Sequence, residues 1–182
     1  MKKLIFFSLM FCLISWADEH RVEIGSSAYV DIVETKMKFL ARIDTGARIT
    51  SLHALNIRLE GKKSLIQVKK IKKLEGMPFH DKRKNEAYKH NIGRLISFDT
   101  VNEKGDIKRV KARVINVARV RNAQGVEYRY VIRLGLKYKN IIKYKEVNLR
   151  DRSNMSYKLL IGRNWLNDDF VIKTDKALIE AP

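Results

Sequence analysis

Asp44, Thr45 and Gly46 follow the apolar Ile43 in the stretch ARIDTGARITSLHALN, residues 41–56. A carboxylate on a tight turn can activate a water molecule, and a second carboxylate facing it can polarise a carbonyl. Two carboxylates that close cannot both ionise. One keeps a proton and donates it, while the other accepts the proton of the attacking water. Glycine permits the turn, the threonine hydroxyl can bond across to an opposite turn, and Ile43 buries the root of the loop. The same residue types are common in polar turns, so the triplet alone does not separate a catalytic loop from the end of a strand. A second stretch, LLIGRNWL at residues 159–166, sets an apolar run before a glycine, an arginine and a helical turn.

The elements that must position these residues read as strands. Short segments rich in Val, Ile, Tyr and Thr, bounded by Gly, Asn or Asp, predict an all-β domain. The expected strands are Ser27 to Val33, Met37 to Asp44, Ser51 to Leu59, Leu95 to Val101, Asp106 to Val120, Val126 to Leu136 and Ile141 to Leu149. Asn164 to Asn167 reads as a short helix and Asp169 to Asp175 as a last strand. NEKGD (Asn102 to Asp106) and RNAQG (Arg121 to Gly125) read as hairpin turns. Residues 61–90, dense in lysine and weak in periodicity, read as a basic, solvated insertion. No internal repeat and no Gly/Ser/Pro linker divides the chain, and 182 residues suit one domain.

The N-terminus has the pattern of a secretory leader. Lys2 and Lys3 precede an apolar run from Leu4 to Ile14, and Ser15-Trp16-Ala17 offers small residues for cleavage. That run of 11 residues is short of the roughly 20 that a spanning helix needs. The expectation is a signal peptide at 1–17, a mature domain at 18–182, export to the periplasm and no stable membrane anchor. The only cysteine, Cys12, would leave with the leader. His20, His53, His80 and His90 show no zinc-binding spacing, and no phosphate-binding glycine loop is present, so neither metal nor cofactor is expected. The net charge of +18, lowered by two without Lys2 and Lys3, favours an acidic partner. Nucleic acid is a poor candidate for an exported chain whose aromatics form no stacking platform.

Five stretches together resemble the bacterial retropepsin-like aspartic protease family, long catalogued as ATP-dependent zinc proteases. They are ARIDTGARITSLHA, LISFDTVNEKG, ARVRNAQGVEYRYVIRLGL, VNLRDRSNMSYKLLIGRNWL and DFVIKTD, in order over most of residues 25–176. The resemblance implies an all-β, retropepsin-like (acid protease) closed β-barrel with one short C-terminal helix. It also implies aspartic endopeptidase activity. Asp44 matches the catalytic acid, with Thr45, Gly46 and Ala47 completing its loop. Gly162 and Arg163 match the glycine behind that loop and the buried arginine after it. With one Asp-Thr-Gly per chain, an active site implies a homodimer. The position where viral relatives pair an acid with that arginine holds Arg48, so Arg163 needs another partner, either Asp151 or a backbone carbonyl.

By order along the chain, Asn122, Ala123, Gln124 and Gly125 occupy the flap. Cytoplasmic members act beside glutamate ligases, which implies peptide or protein substrates that are acidic or contain glutamate. A catalytically silent binding module on the same fold, taking acidic peptide or polymer, is the competing reading.

Overall fold

A computed structural model describes residues 21–61, 85–122 and 125–175. The expected leader at 1–17 and most of the lysine-rich insertion, residues 62–84, lie outside the described residues. Among the described residues, no helix is long and apolar enough to cross a membrane.

The chain runs β1 (Val22–Ile24), β2 (Ser27–Ile32), β3 (Met37–Ile43), β4 (Thr50–His53) and β5 (Leu55–Glu60). A helical turn at residues 85–89, α1, follows. Then come β6 (Leu95–Val101), β7 (Ile107–Arg113), β8 (Asn116–Asn122), β9 (Gly125–Tyr138) and β10 (Ile141–Arg150). The last elements are β11 (Leu159–Ile161), α2 (Arg163–Leu166) and β12 (Phe170–Ile172). The protein is therefore mostly strands with few helices, as the composition implies.

Alternation explains the strands. In β3, Met37, Phe39, Ala41 and Ile43 are buried, while Lys38 and Arg42 face water. A strand's period of two puts these sets on opposite faces, and fully burying a side chain such as Phe39 contributes about 1.5–3 kcal/mol. Seven strands form one sheet in the order β10-β4-β11-β3-β2-β9-β8, and β9 pairs additionally with β10. The long β9 makes this possible. Its first part pairs with β8, and its second part pairs with β10 and β2. A separate sheet, β5-β6-β7, and a parallel pair, β1-β12, complete the topology.

Two expected strands each divide between sheets. Ser51 to Leu59 breaks at Ala54, whose N–H donates to the Arg150 carbonyl at 3.0 Å. Asp106 to Val120 breaks at Val114 and Ile115, whose N–H groups turn to the carbonyls of Arg94 and Val131. The end of the insertion also differs from a solvated loop. Asn85 is buried, and the Tyr88 ring lies 4.9 Å from that of Tyr130.

Candidate active site

The Asp-Thr-Gly loop leaves β3 and is locked by its own backbone. Asp44 Oδ1 accepts from Gly46 N–H at 2.9 Å and from Ala47 N–H at 3.1 Å. The Asp44 N–H donates to the Ile161 carbonyl at 2.9 Å, at the end of the parallel pairing of β11 with β3. The loop's root is therefore fastened to the second motif, and the Arg163 side chain reaches Thr45 across 118 residues of chain.

Gly162 shows why this contact needs glycine. A Cβ there would lie 2.7 Å from the Ile49 carbonyl carbon and 2.9 Å from the Thr50 nitrogen. Backbone cannot yield as a side-chain tip can, so the two turns touch only without a side chain. Around that contact, Arg163 N–H donates to the Ala47 carbonyl at 2.9 Å and Asn164 N–H to the Arg48 carbonyl at 3.1 Å. The structure thus brings Asp44, Thr45, Gly46, Ala47, Gly162 and Arg163 together.

Arg163 itself departs from expectation. Its side chain is exposed in the single chain rather than buried, because no acid follows the Asp-Thr-Gly-Ala turn to draw it inward. Asp151 is not its partner; its guanidinium donates to the Thr45 carbonyl at 3.3 Å. Asp44 is half-buried, and Thr45 and Gly46 are exposed, so the loop presents its functional side to solvent.

Sequence reasoning missed three polar residues that hold this arrangement. Asn164 Oδ1 accepts from both the N–H and the hydroxyl of Thr50, each at 3.0 Å. The Thr50 hydroxyl in turn accepts from Gly162 N–H at 3.2 Å. Asn148 Nδ2 donates to the Thr50 carbonyl at 2.8 Å. Asn164 stands next to Gly162-Arg163 in sequence, which was the one available signal. Behind them Trp165 is fully buried and stacks on Phe170 at 4.4 Å between ring centres. Lys143 closes α2 by donating to the carbonyls of Trp165 and Asn167.

A cleft of about 380 Å³ opens beside the loop, between residues 46–49 and residues 118–121 of β8. Strands β8 and β9 form the hairpin expected of the flap, with Asn122 paired to Gly125 across its tip. Ala123 and Gln124 lie outside the described residues, as does the Asn122 side chain. Six arginines line the cleft: Arg48, Arg119, Arg121, Arg129, Arg150 and Arg152. Burial, then repulsion from Arg150, Arg129 and Arg42, lowers the Arg152 guanidinium to about 10, with Asp44 acting in the opposite sense.

His53 is a core histidine, only 2% exposed. Its Nδ1 accepts from the Arg152 N–H at 2.9 Å. Burial and then Lys158 push its pKa below the ordinary 6.5, against the opposing pull of Asp151. Among the described residues, no group of three or more His, Cys, Asp or Glu converges to hold a metal.

Comparison with known proteins bears on the family. Residues 79–181 match the family model described as RimB-like, retropepsin-like aspartic endopeptidase RimB. That range includes Gly162 and Arg163 and begins after Asp44. A probable alpha-L-glutamate ligase of Shewanella halifaxensis (strain HAW-EB4) is 28% identical over 141 residues, 75% of this chain and 25% of the relative. A probable alpha-L-glutamate ligase of Shewanella pealeana (strain ATCC 700345 / ANG-SQ1) is 27% identical over 141 residues, with the same coverage. The chain matches about a quarter of the length of these curated relatives. A crystal structure of a Legionella pneumophila protein of unknown function shares the fold, with a TM-score of 0.60 and 18% identity. That match covers 86% of this chain and 95% of the other. With the family match spanning more than half its length, the chain belongs to the RimB-like, retropepsin-like aspartic endopeptidase family.

Proposed function

We propose that the protein is an aspartic-type endopeptidase whose active site pairs the Asp44 carboxylates of two chains. The observation that carries this reading is the interlock of the Asp-Thr-Gly loop with the Gly162-Arg163 turn, beside an open cleft. A loop held by so many backbone contacts is preorganised, which is how a site keeps reacting groups in place without reorganising during the reaction. Its exposed Thr45 and Gly46, and the exposed Arg163 beneath them, leave a polar surface for a second copy to cover.

The retropepsin-like closed barrel belongs to the same proposal. Pairing between β9 and β10 joins the ends of the series β10-β4-β11-β3-β2-β9 into a ring, which supports closure. The β8-β9 hairpin is the flap that holds a peptide over the acids and excludes water. In the dimer, one Asp44 accepts the proton of the attacking water while the other, protonated, donates to the substrate carbonyl. The substrate is an acidic or glutamate-containing peptide. The six cleft arginines support that choice, as does the similarity to proteins named as glutamate ligases. The leader pattern of the sequence supports a reaction in the cell envelope.

The decisive experiment compares wild type with Asp44→Asn on a peptide library. Wild type should cut with a bell-shaped pH–rate profile whose two apparent pKa values belong to the pair. Asp44→Asn should lose several orders of magnitude in turnover, since enzymatic accelerations are typically about 10⁶-fold or more. A wild-type protein that binds acidic peptides and never cuts them would leave the binding-module reading in its place.

A further inference from the structure

Two of the cleft arginines are buried, which is unusual for a side chain that cannot shed its charge. Arg129 is 7% exposed and Arg152 6%. Arg129 donates to Asn148 Oδ1 at 3.1 Å and to Glu127 Oε2 at 2.6 Å, yet its buried Nε has no partner. Glu127 is shared, because Arg150 also approaches its Oε2 at 3.3 Å. Arg152 donates its Nε to the Tyr157 carbonyl at 2.9 Å. Among the described residues, no carboxylate forms an ion pair with it. Repulsion from Arg150, Arg129 and Arg42 acts on it against the pull of Asp44, and Glu127 is already engaged by Arg129 and Arg150.

A buried charge is costly unless an opposite charge or a full set of hydrogen bonds compensates it. Here the protein gathers cations in the wall of a cleft and supplies too few anions to balance them. A guanidinium presents parallel N–H donors that match the two oxygens of a carboxylate. We propose that Arg129 and Arg152 form a carboxylate receptor that selects an acidic side chain of the bound peptide, and that His53 is the residue positioning it. This rests on the peptidase reading above for the identity of the ligand as a peptide.

Positioning follows from the strand register. Arg150 on β10 stands opposite His53 on β4, and the chain leaves β10 at that point. His53 Nδ1 then receives the Arg152 N–H, so the imidazole must be neutral, with its proton on Nε2. That bond fixes the backbone from which the Arg152 side chain enters the cleft. Asn148 does the corresponding work for Arg129, because its Nδ2 is anchored to the Thr50 carbonyl while its Oδ1 receives the guanidinium. The receptor is thereby tied through Thr50 to the same framework that holds Asp44.

The test uses the full mature protein carrying Asp44→Asn, with an end-capped peptide containing several glutamates and its glutamine counterpart, followed by fluorescence anisotropy. The glutamate peptide should bind about tenfold to a hundredfold more tightly, the range expected for hydrogen bonds to a charged group. Arg152→Gln and Arg129→Gln should each remove most of that preference, read as the ratio of the two affinities in the same variant. Arg152→Lys should retain it only in part, because an ammonium lacks the two-pronged donor. His53→Leu should lose the preference, and His53→Asn should restore it by placing an acceptor where Nδ1 stood. Equal affinity for the two peptides overturns the receptor, and that comparison needs no arginine variant to fold. A preference that survives both arginine substitutions in folded protein overturns it as well. Wild-type turnover separates the two readings: cutting without discrimination defeats the receptor alone, whereas discrimination without cutting defeats the peptidase alone.

Discussion

Asp44, Gly162 and Arg163 were legible because few residue types satisfy what their positions demand. Gly162 sits where any Cβ would meet backbone within 3 Å, so its glycine carries information that a turn glycine does not. The missed residues are of common types. Thr50, Asn148 and Asn164 act only through contacts between segments as far as 114 residues apart, and nothing in their local sequence marks the pairing. The exposure of Arg163 was not legible either, since it depends on what covers the loop. His53 illustrates a prediction at this scale. Its pKa in the folded protein lies below the ordinary 6.5. Above 6.5 both states are neutral at this residue and its contribution to stability is complete. As pH falls from there toward the folded value, the unfolded chain takes up a proton that the folded chain refuses, and that contribution is lost. The urea midpoint should therefore fall as pH drops below the ordinary 6.5, and His53→Asn should flatten part of that fall. An identical slope in the variant would show that other groups carry the pH dependence.

Elements were readable where a strand stays in one sheet. Leu95 to Val101 has the same limits in sequence and structure, and both hairpin turns occur where glycine and asparagine placed them. The reading failed where a strand crosses between sheets. In the run IKRVKARVINVARV (residues 107–120) the adjacent apolar residues Val114 and Ile115 shift the alternation where the chain passes from β7 to β8, but nothing local says that the two halves join different sheets. Three-residue β1 is too short to show any period. The β8-β9 hairpin supports a prediction. Gly125 has φ +119°, which a β-branched residue adopts only with strain, and a Cβ there meets no atom within 4 Å. Gly125→Val should thus act through backbone strain alone, lowering stability by about 1–3 kcal/mol. If the hairpin is the flap, turnover should drop much further than the population of folded protein does. Steady-state rates and urea midpoints measured together would separate the two effects. Unchanged turnover would shift the covering role to the Asn102 to Asp106 turn.

At the scale of the whole molecule, one chain carries one Asp-Thr-Gly and a surplus of positive charge, +18 over the full sequence. Like charge opposes self-association, so the proposed dimer must hold through contacts at the loop itself. Two-fold pairing would bring the exposed Thr45, Gly46 and Arg163 of each copy to the axis, where a threonine hydroxyl can reach the opposite turn. Asparagine is nearly isosteric with aspartate, so Asp44→Asn should preserve assembly. Mixing wild type with an excess of this variant should then convert most wild-type chains into heterodimers with one acid and one amide. These lack the shared proton, and activity should fall steeply as the variant is added at fixed wild-type concentration. Differently tagged copies, captured on one tag and probed for the other, would verify that heterodimers form. Full activity in their presence would show that a single Asp44 suffices, and the two-chain site would have to be abandoned.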